Sequence, residues 1–203
     1  MPARKGLQAI REDAKEAMRL ELLDIASELL EQEGPQALSM RRISEKAGCS
    51  TMMLYTLFGG KEGLAEGLYR EGFRRLQEAL DAVDEKDLLK HLKELNRTYR
   101  RVALENSAYY SVMFDKPIAE FQPGEESRLI AWQSIQNLIN TIQTCINEKL
   151  FQDDNAEMMA MELWTLAHGL VSVELAGYLS EEAKLAGAMH EKAMDDLIKA
   201  WTV

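Results

Sequence analysis

Between Arg41 and Lys61 the chain gathers side chains suited to gripping a polyanion: Arg41, Arg42, Thr51, Met52, Met53, Thr56 and Lys61. Arginine and lysine supply charge for phosphate oxygens, and threonine hydroxyls hydrogen-bond the same oxygens. Met52 and Met53 have little hydrogen-bonding capacity, so thymine-methyl contacts or shape readout suit them better than bidentate bonds to base edges. This is binding chemistry. Turnover chemistry has no comparable signature. None of His91, His168 or His190 has a Glu three positions before it, HExxH is absent, and Cys49 and Cys145 make neither a zinc motif nor a disulfide framework. Gly59-Gly60-Lys61-Glu62-Gly63 is not a Walker loop or a dinucleotide fingerprint, and no strand precedes it. No catalytic residue, metal or cofactor is expected, although a nucleophile–base pair assembled in three dimensions would leave no motif.

These residues must be held by helices. Leu20, Leu23, Ala26, Leu29 and Leu30 recur at steps of three and four, predicting a helix over 16–33 whose periodicity extends back towards Leu7, stopped by Gly34-Pro35. Ser39 is a good N-cap for a short helix carrying Met40, Ile43 and Ala47. Gly48 breaks that run, with the positive φ a sharp turn needs. Ser50 or Thr51 caps a second short helix through Leu57, and a longer one starts near Lys61. Two short helices around a glycine turn make a helix-turn-helix or a plain αα-hairpin. In the first case Ile43, Ala47 and Leu54 share a small core with the first helix, and the second short helix stands proud for a major groove. Arg41, Arg42 and Lys61 would flank it on the phosphates. Arg4-Lys5 could follow as a minor-groove arm or end as a free terminus.

Arg19–Leu64 resembles the DNA-binding domain of TetR-type (TetR/AcrR) transcriptional regulators. The resemblance is carried by Leu23-x-x-Ala26-x-x-Leu29-x-x-x-x-Gly34, Ser39-x-x-x-Ile43-x-x-x-Ala47-Gly48-Cys49-Ser50 and Leu54-Tyr55-x-x-Phe58-x-x-Lys61-Glu62-x-Leu64. It implies that Ser39 caps the second helix and touches a phosphate, that Tyr55 and Lys61 touch the phosphate backbone, and that Leu54 and Phe58 are structural. Met52 stands where the family often has a small residue, Leu57 where it has His, and Ser44 where Ala is more frequent. These departures bear on the operator sequence.

From about residue 85 the chain reads as long amphipathic helices over 85–105, 107–115, 126–151, 155–179 and 182–201, with Asp115–Glu125 the longest loop. Trp164-x-x-x-His168-Gly169-x-x-x-x-Glu174-x-x-Gly177, with Ala108-Tyr109-Tyr110-x-x-Met113-Phe114, resembles the WHG-type regulatory domain of the same family. That implies an all-helical domain with a ligand pocket, dimerising through its last two helices. Gly169 and Gly177 cost helix stability, so close helix approach is expected there. A buried His168 and Glu174 need partners, and six positions separate them around the helix. Tyr110, Phe114, Trp132 and His168 are the expected pocket walls, with plain core packing as the alternative for each.

Composition agrees with this division. Apolar residues make up 46% of the 203 positions and charged residues 29%, as in folded globular chains. The net charge of −10 lies entirely in residues 76–203, and residues 1–75 are neutral, so local phosphate contacts are not opposed there. The first residues lack an apolar h-region and no stretch spans a bilayer, so a cytoplasmic protein is expected. The reading is all-α: a three-helix DNA-binding domain, 1–75, and a helical ligand-binding and dimerisation domain, 76–203. Its expected partners are palindromic double-stranded DNA, a small-molecule effector and a second copy. A protein-binding adaptor and a helical-bundle enzyme are the alternatives.

Overall fold

A computed structural model describes residues 6–118, 121–179 and 183–203. The Arg4-Lys5 arm lies outside the described residues. Ten α-helices are seen among those described: α1 Leu7–Glu33, α2 Met40–Ala47, α3 Thr51–Phe58, α4 Lys61–Asp81, α5 Leu88–Glu105, α6 Ser107–Phe114, α7 Glu125–Gln133, α8 Gln136–Asn147, α9 Ala156–Leu175 and α10 Ala183–Trp201. A 3-10 turn, Pro35–Ala37, joins α1 to α2. No described helix is long and apolar enough to cross a membrane.

Packing divides the chain into two units: residues 1–71 with 108–124, and residues 72–107 with 125–203. In the first, the α1 stripe Leu22, Leu23, Ala26, Leu29 and Leu30 is buried, as are Ile43, Leu54, Leu64 and Leu68. The α6 segment packs here too. Tyr109 Oη donates to Asp24 Oδ1 at 2.8 Å, the Tyr69 and Phe121 rings meet edge-on at 6.1 Å, and Gly124 N donates to Glu66 Oε2 at 3.3 Å. The second unit is built on α5, against which α8, α9 and α10 pack. Leu92, Ile142, Leu163 and Met194 are at its centre.

Three expectations for the later helices need correction. The single helix over 126–151 is two. Ser134 N still bonds the Ile130 carbonyl, but Ile135 N turns to the carbonyl of Trp132 at 3.3 Å, and α7 ends there. The far end stops early as well: α8 closes at Asn147, and Phe151 is paired with Thr202 in an isolated antiparallel bridge. Gly177 lies beyond α9 with φ 82°, so it serves as a left-handed helix stop and not as a site of close approach. At Gly169, which is exposed, an added Cβ would meet nothing within 4 Å. Close approach within the chain does not explain it.

Candidate nucleic-acid interface

Local chemistry builds the α2–α3 pair. Ser39 Oγ accepts from Arg42 N at 3.2 Å and Ser50 Oγ accepts from Met53 N at 3.3 Å, so each short helix has a hydroxyl cap on an otherwise orphaned donor. Between them Gly48 adopts φ 65° and ψ 29°, the left-handed region where a side chain is strained. Its N–H and that of Cys49 return to the carbonyls of Glu45 and Ser44. Behind the pair, Leu54 and Ile43 are wholly buried and Phe58 nearly so, with the Arg19 guanidinium 5.7 Å over the Phe58 ring.

That anchoring sets the phase of α3. With Leu54 and Phe58 turned inward, Thr51, Met52, Tyr55 and Thr56 face solvent. Met52 is 73% exposed and Tyr55 52%, both far from core values. Met53 is half-buried at the edge of this face. Thr56 Oγ1 donates to the Met52 carbonyl at 2.8 Å, so its hydroxyl proton is committed and it offers a methyl and lone pairs outward. Lys61 is exposed at the first position of α4, where free backbone N–H groups favour anions.

The cations of α2 are each paired with a carboxylate. Arg41 Nε donates to Glu45 at 2.9 Å, Arg42 Nη2 to Glu33 at 2.8 Å, and Lys46 pairs with Glu28 at 3.0 Å. These hydrogen bonds raise both arginines above their ordinary values and lower the Glu45 carboxyl. The pairs are exposed, so solvent screens them and they open at little cost. Arg41 and Arg42 can reach a phosphate only by sharing or leaving their carboxylates.

One essential residue was not singled out from sequence. A Cβ at Gly63 would collide with the Phe58 carbonyl oxygen, so only glycine lets α4 start this close to the end of α3. Its sole sequence signal is a glycine in a first helical turn.

The expected pocket residues fall in both units. Tyr110 is buried in the first, its ring 4.8 Å from that of Phe114. In the second, His168 stacks on Trp164 at 5.5 Å and Trp132 is 52% exposed on α7. Glu174 finds its partner on α5, not on its own helix: Arg100 Nε donates to it at 2.8 Å. Among the described residues no group of three or more His, Cys, Asp or Glu could hold a metal ion.

Residues 22–68 match the model of bacterial regulatory proteins of the tetR family, and residues 92–197, just over half of the chain, match the tetracyclin repressor-like C-terminal domain. The chain belongs to the TetR family. It is therefore a DNA-binding transcriptional regulator. Regulators of this family bind DNA operators, dimerise and respond to small molecules. The chain is 27% identical over 164 residues to the HTH-type transcriptional regulator BetI of Vibrio atlanticus (strain LGP32), covering 74% of this chain and 76% of that one. It also has the fold of a protein of unknown function from Rhodococcus sp. RHA1, with TM-score 0.80, 19% identity and all of both chains covered. The TetR family regulator PfmR from Thermus thermophilus shares it with TM-score 0.71 and 18% identity, over 88% of this chain and 97% of that one.

Proposed function

We propose that this regulator is a homodimeric repressor, with residues 1–75 gripping a palindromic operator and residues 76–203 binding the effector and the second copy. The observation that carries the reading is the outward face of α3. Thr51, Met52, Tyr55 and Thr56 are presented by a helix whose opposite side is locked by Leu54 and Phe58. Two such helices in successive major grooves would stand ~34–36 Å apart. Ser39, Arg41, Arg42, Met53 and Lys61 complete the contact set around them.

Dimerisation is assigned to α9 and α10, which leave Met158, Val173, Leu175, Leu185 and Met189 exposed. The effector changes the separation of the reading helices through the chain itself. Helix α4 starts beside α3 and continues past residue 71 into the second unit, and α6 leaves that unit at Ser107 to pack beside α1. An effector that binds two separations with different affinity then controls operator binding. Trp132 and His168 in the second unit are proposed effector contacts, and Tyr110 and Phe114 in the first are assigned to core packing. The acidic part makes no phosphate contact, and the protein works in the cytoplasm beside the DNA.

Selection of duplexes from a random library by the purified protein tests the reading. A palindrome retained in a salt-dependent way, by a dimer, supports it. No retention at low salt would sink it and favour the protein-binding adaptor.

A further inference from the structure

The second unit carries polar groups that an apolar helix bundle does not need. Arg100 on α5 and Glu174 on α9 form a two-pronged pair, with Nε donating to Oε2 at 2.8 Å and Nη2 donating to Oε1. Their side chains are only 21% and 12% exposed, so water does little to screen them. The guanidinium lies against α10 at Gly187, where a Cβ would sit 3.5 Å from Nη1. His190 follows Gly187 by three positions and so shares that face of α10. It is 2% exposed, and its Nε2 meets no hydrogen-bond partner. The other buried side-chain atoms without partners among the described residues are His91 Nδ1 and Ser172 Oγ, on α5 and α9 of the same unit. Orphaned buried atoms of this kind are rare in folded proteins and mark a place where a further polar partner belongs.

We infer that Arg100 and His190 form an anion site inside the second unit, and that the effector it receives is an organic carboxylate. The inference rests on the reading of residues 76–203 as the effector-binding part. Arginine presents a planar fork that a carboxylate meets with two hydrogen bonds, and Glu174 already occupies that edge. Glu174 is thus an internal stand-in: the incoming carboxylate takes over the fork and adds a bond to Nε2–H of His190. An effector of either sign would displace one member of the pair, so the unpartnered His190 Nε2 is what favours an anion: an imidazole N–H adds a bond to a carboxylate and none to a cation. Ala103, Val171 and Met194, three or four positions from Arg100, Glu174 and His190 on the same helix faces, are buried and apolar, which suits an apolar body behind the carboxylate.

Proton linkage follows from the same geometry. Burial and then Arg100 hold the His190 imidazole below its ordinary value, and Glu174 and Glu191 act in the opposite sense. The helices packed on α10 are α5 and α9, which contribute Arg100 and Glu174, while Arg97 and Lys93 of α5 are engaged by Glu191 and Asp195. A second carboxylate beside Arg100 offsets its charge, so binding takes up a proton near the ordinary histidine range.

Calorimetric titration of the full-length protein with acetate, benzoate and octanoate, and with octan-1-ol and octylamine as neutral and cationic probes, tests the site. At least one carboxylate should bind where the matched neutral and cationic probes do not, with proton uptake that grows as pH falls below the ordinary histidine value of 6.5. Glu174→Gln should tighten that carboxylate about tenfold by weakening the internal competitor, the reverse of what a purely structural pair would do. Arg100→Gln with Glu174→Gln, which removes both charges together and strands neither, should lose binding about a hundredfold. Silence of every carboxylate, equal binding of octan-1-ol, or weaker binding by Glu174→Gln would overturn the inference. Binding of octan-1-ol or octylamine with carboxylates silent would leave the effector reading standing. Loss of duplex retention by the unliganded protein would count against the parent reading alone.

Discussion

Replacing Lys61 with glutamine should lower the salt dependence of operator binding without touching the fold. The side chain is exposed at the start of α4 and forms no ion pair among the described residues, unlike Arg41, Arg42 and Lys46. Its charge is therefore free for a phosphate, with backbone N–H groups of the helix terminus beside it. Each phosphate neutralised contributes about 0.9 to the slope of log affinity against log salt, so a dimer lacking two lysines should lose about 1.8 from that slope. Between 50 and 200 mM salt the wild-type protein should consequently lose about twelvefold more affinity than the variant. Fluorescence anisotropy on a duplex selected by the protein measures the slope, and a thermal melt shifted by less than about 1 °C shows that the fold is intact. Lys46→Gln is the comparison, because Lys46 is held by Glu28 and should change the slope by less than half as much. A slope unchanged by Lys61→Gln would refute the placement of Lys61 on the backbone. An equal effect of Lys46→Gln would refute the argument that ion pairing decides which cations reach phosphate.

Gly63→Ala should cost about 3 kcal/mol or more and abolish duplex binding, because its Cβ collides with backbone that cannot move without displacing α3. A urea midpoint equal to wild type would sink that reasoning. Leu54→Ala should cost about 2–5 kcal/mol, since the side chain is wholly buried between α3 and its support. A melting temperature within about 2 °C of wild type would contradict it. Acid should selectively strip the contribution of His190. Its folded-state value lies below the ordinary 6.5, so the unfolded chain takes up the proton first, and stability present above 6.5 is lost as pH falls below it. Melts at pH 8, 6.5 and 5 should show the wild type falling more steeply than His190→Asn, and parallel curves would refute the assignment.

The DNA-binding head was readable from residues because its determinants are local. Ser39 and Ser50 cap within three residues, Gly48 turns at its own φ, and the spacing of Leu54 and Phe58 fixes the phase that turns Thr51, Met52, Tyr55 and Thr56 outward. Periodicity likewise carried α1 back to Leu7 and placed α5, α6, α9 and α10 within a few residues. Where sequence fell short, the deciding atom came from a distant position or from a competition between bonds of similar strength. Nothing near Arg42 announces that Glu33 will hold it, and nothing on α9 announces that Glu174 belongs to Arg100 of α5. At Ser134 the break turned on a backbone donor, Ile135 N, taking the Trp132 carbonyl, and the residues of α6 packed beside α1 and not with the helices that follow them. Periodicity and capping are properties of a few neighbouring residues and survive in one dimension. The partner of a charge, and the side of the fold a short helix joins, depend on which surfaces remain unburied once every other element has packed, and that is settled in three.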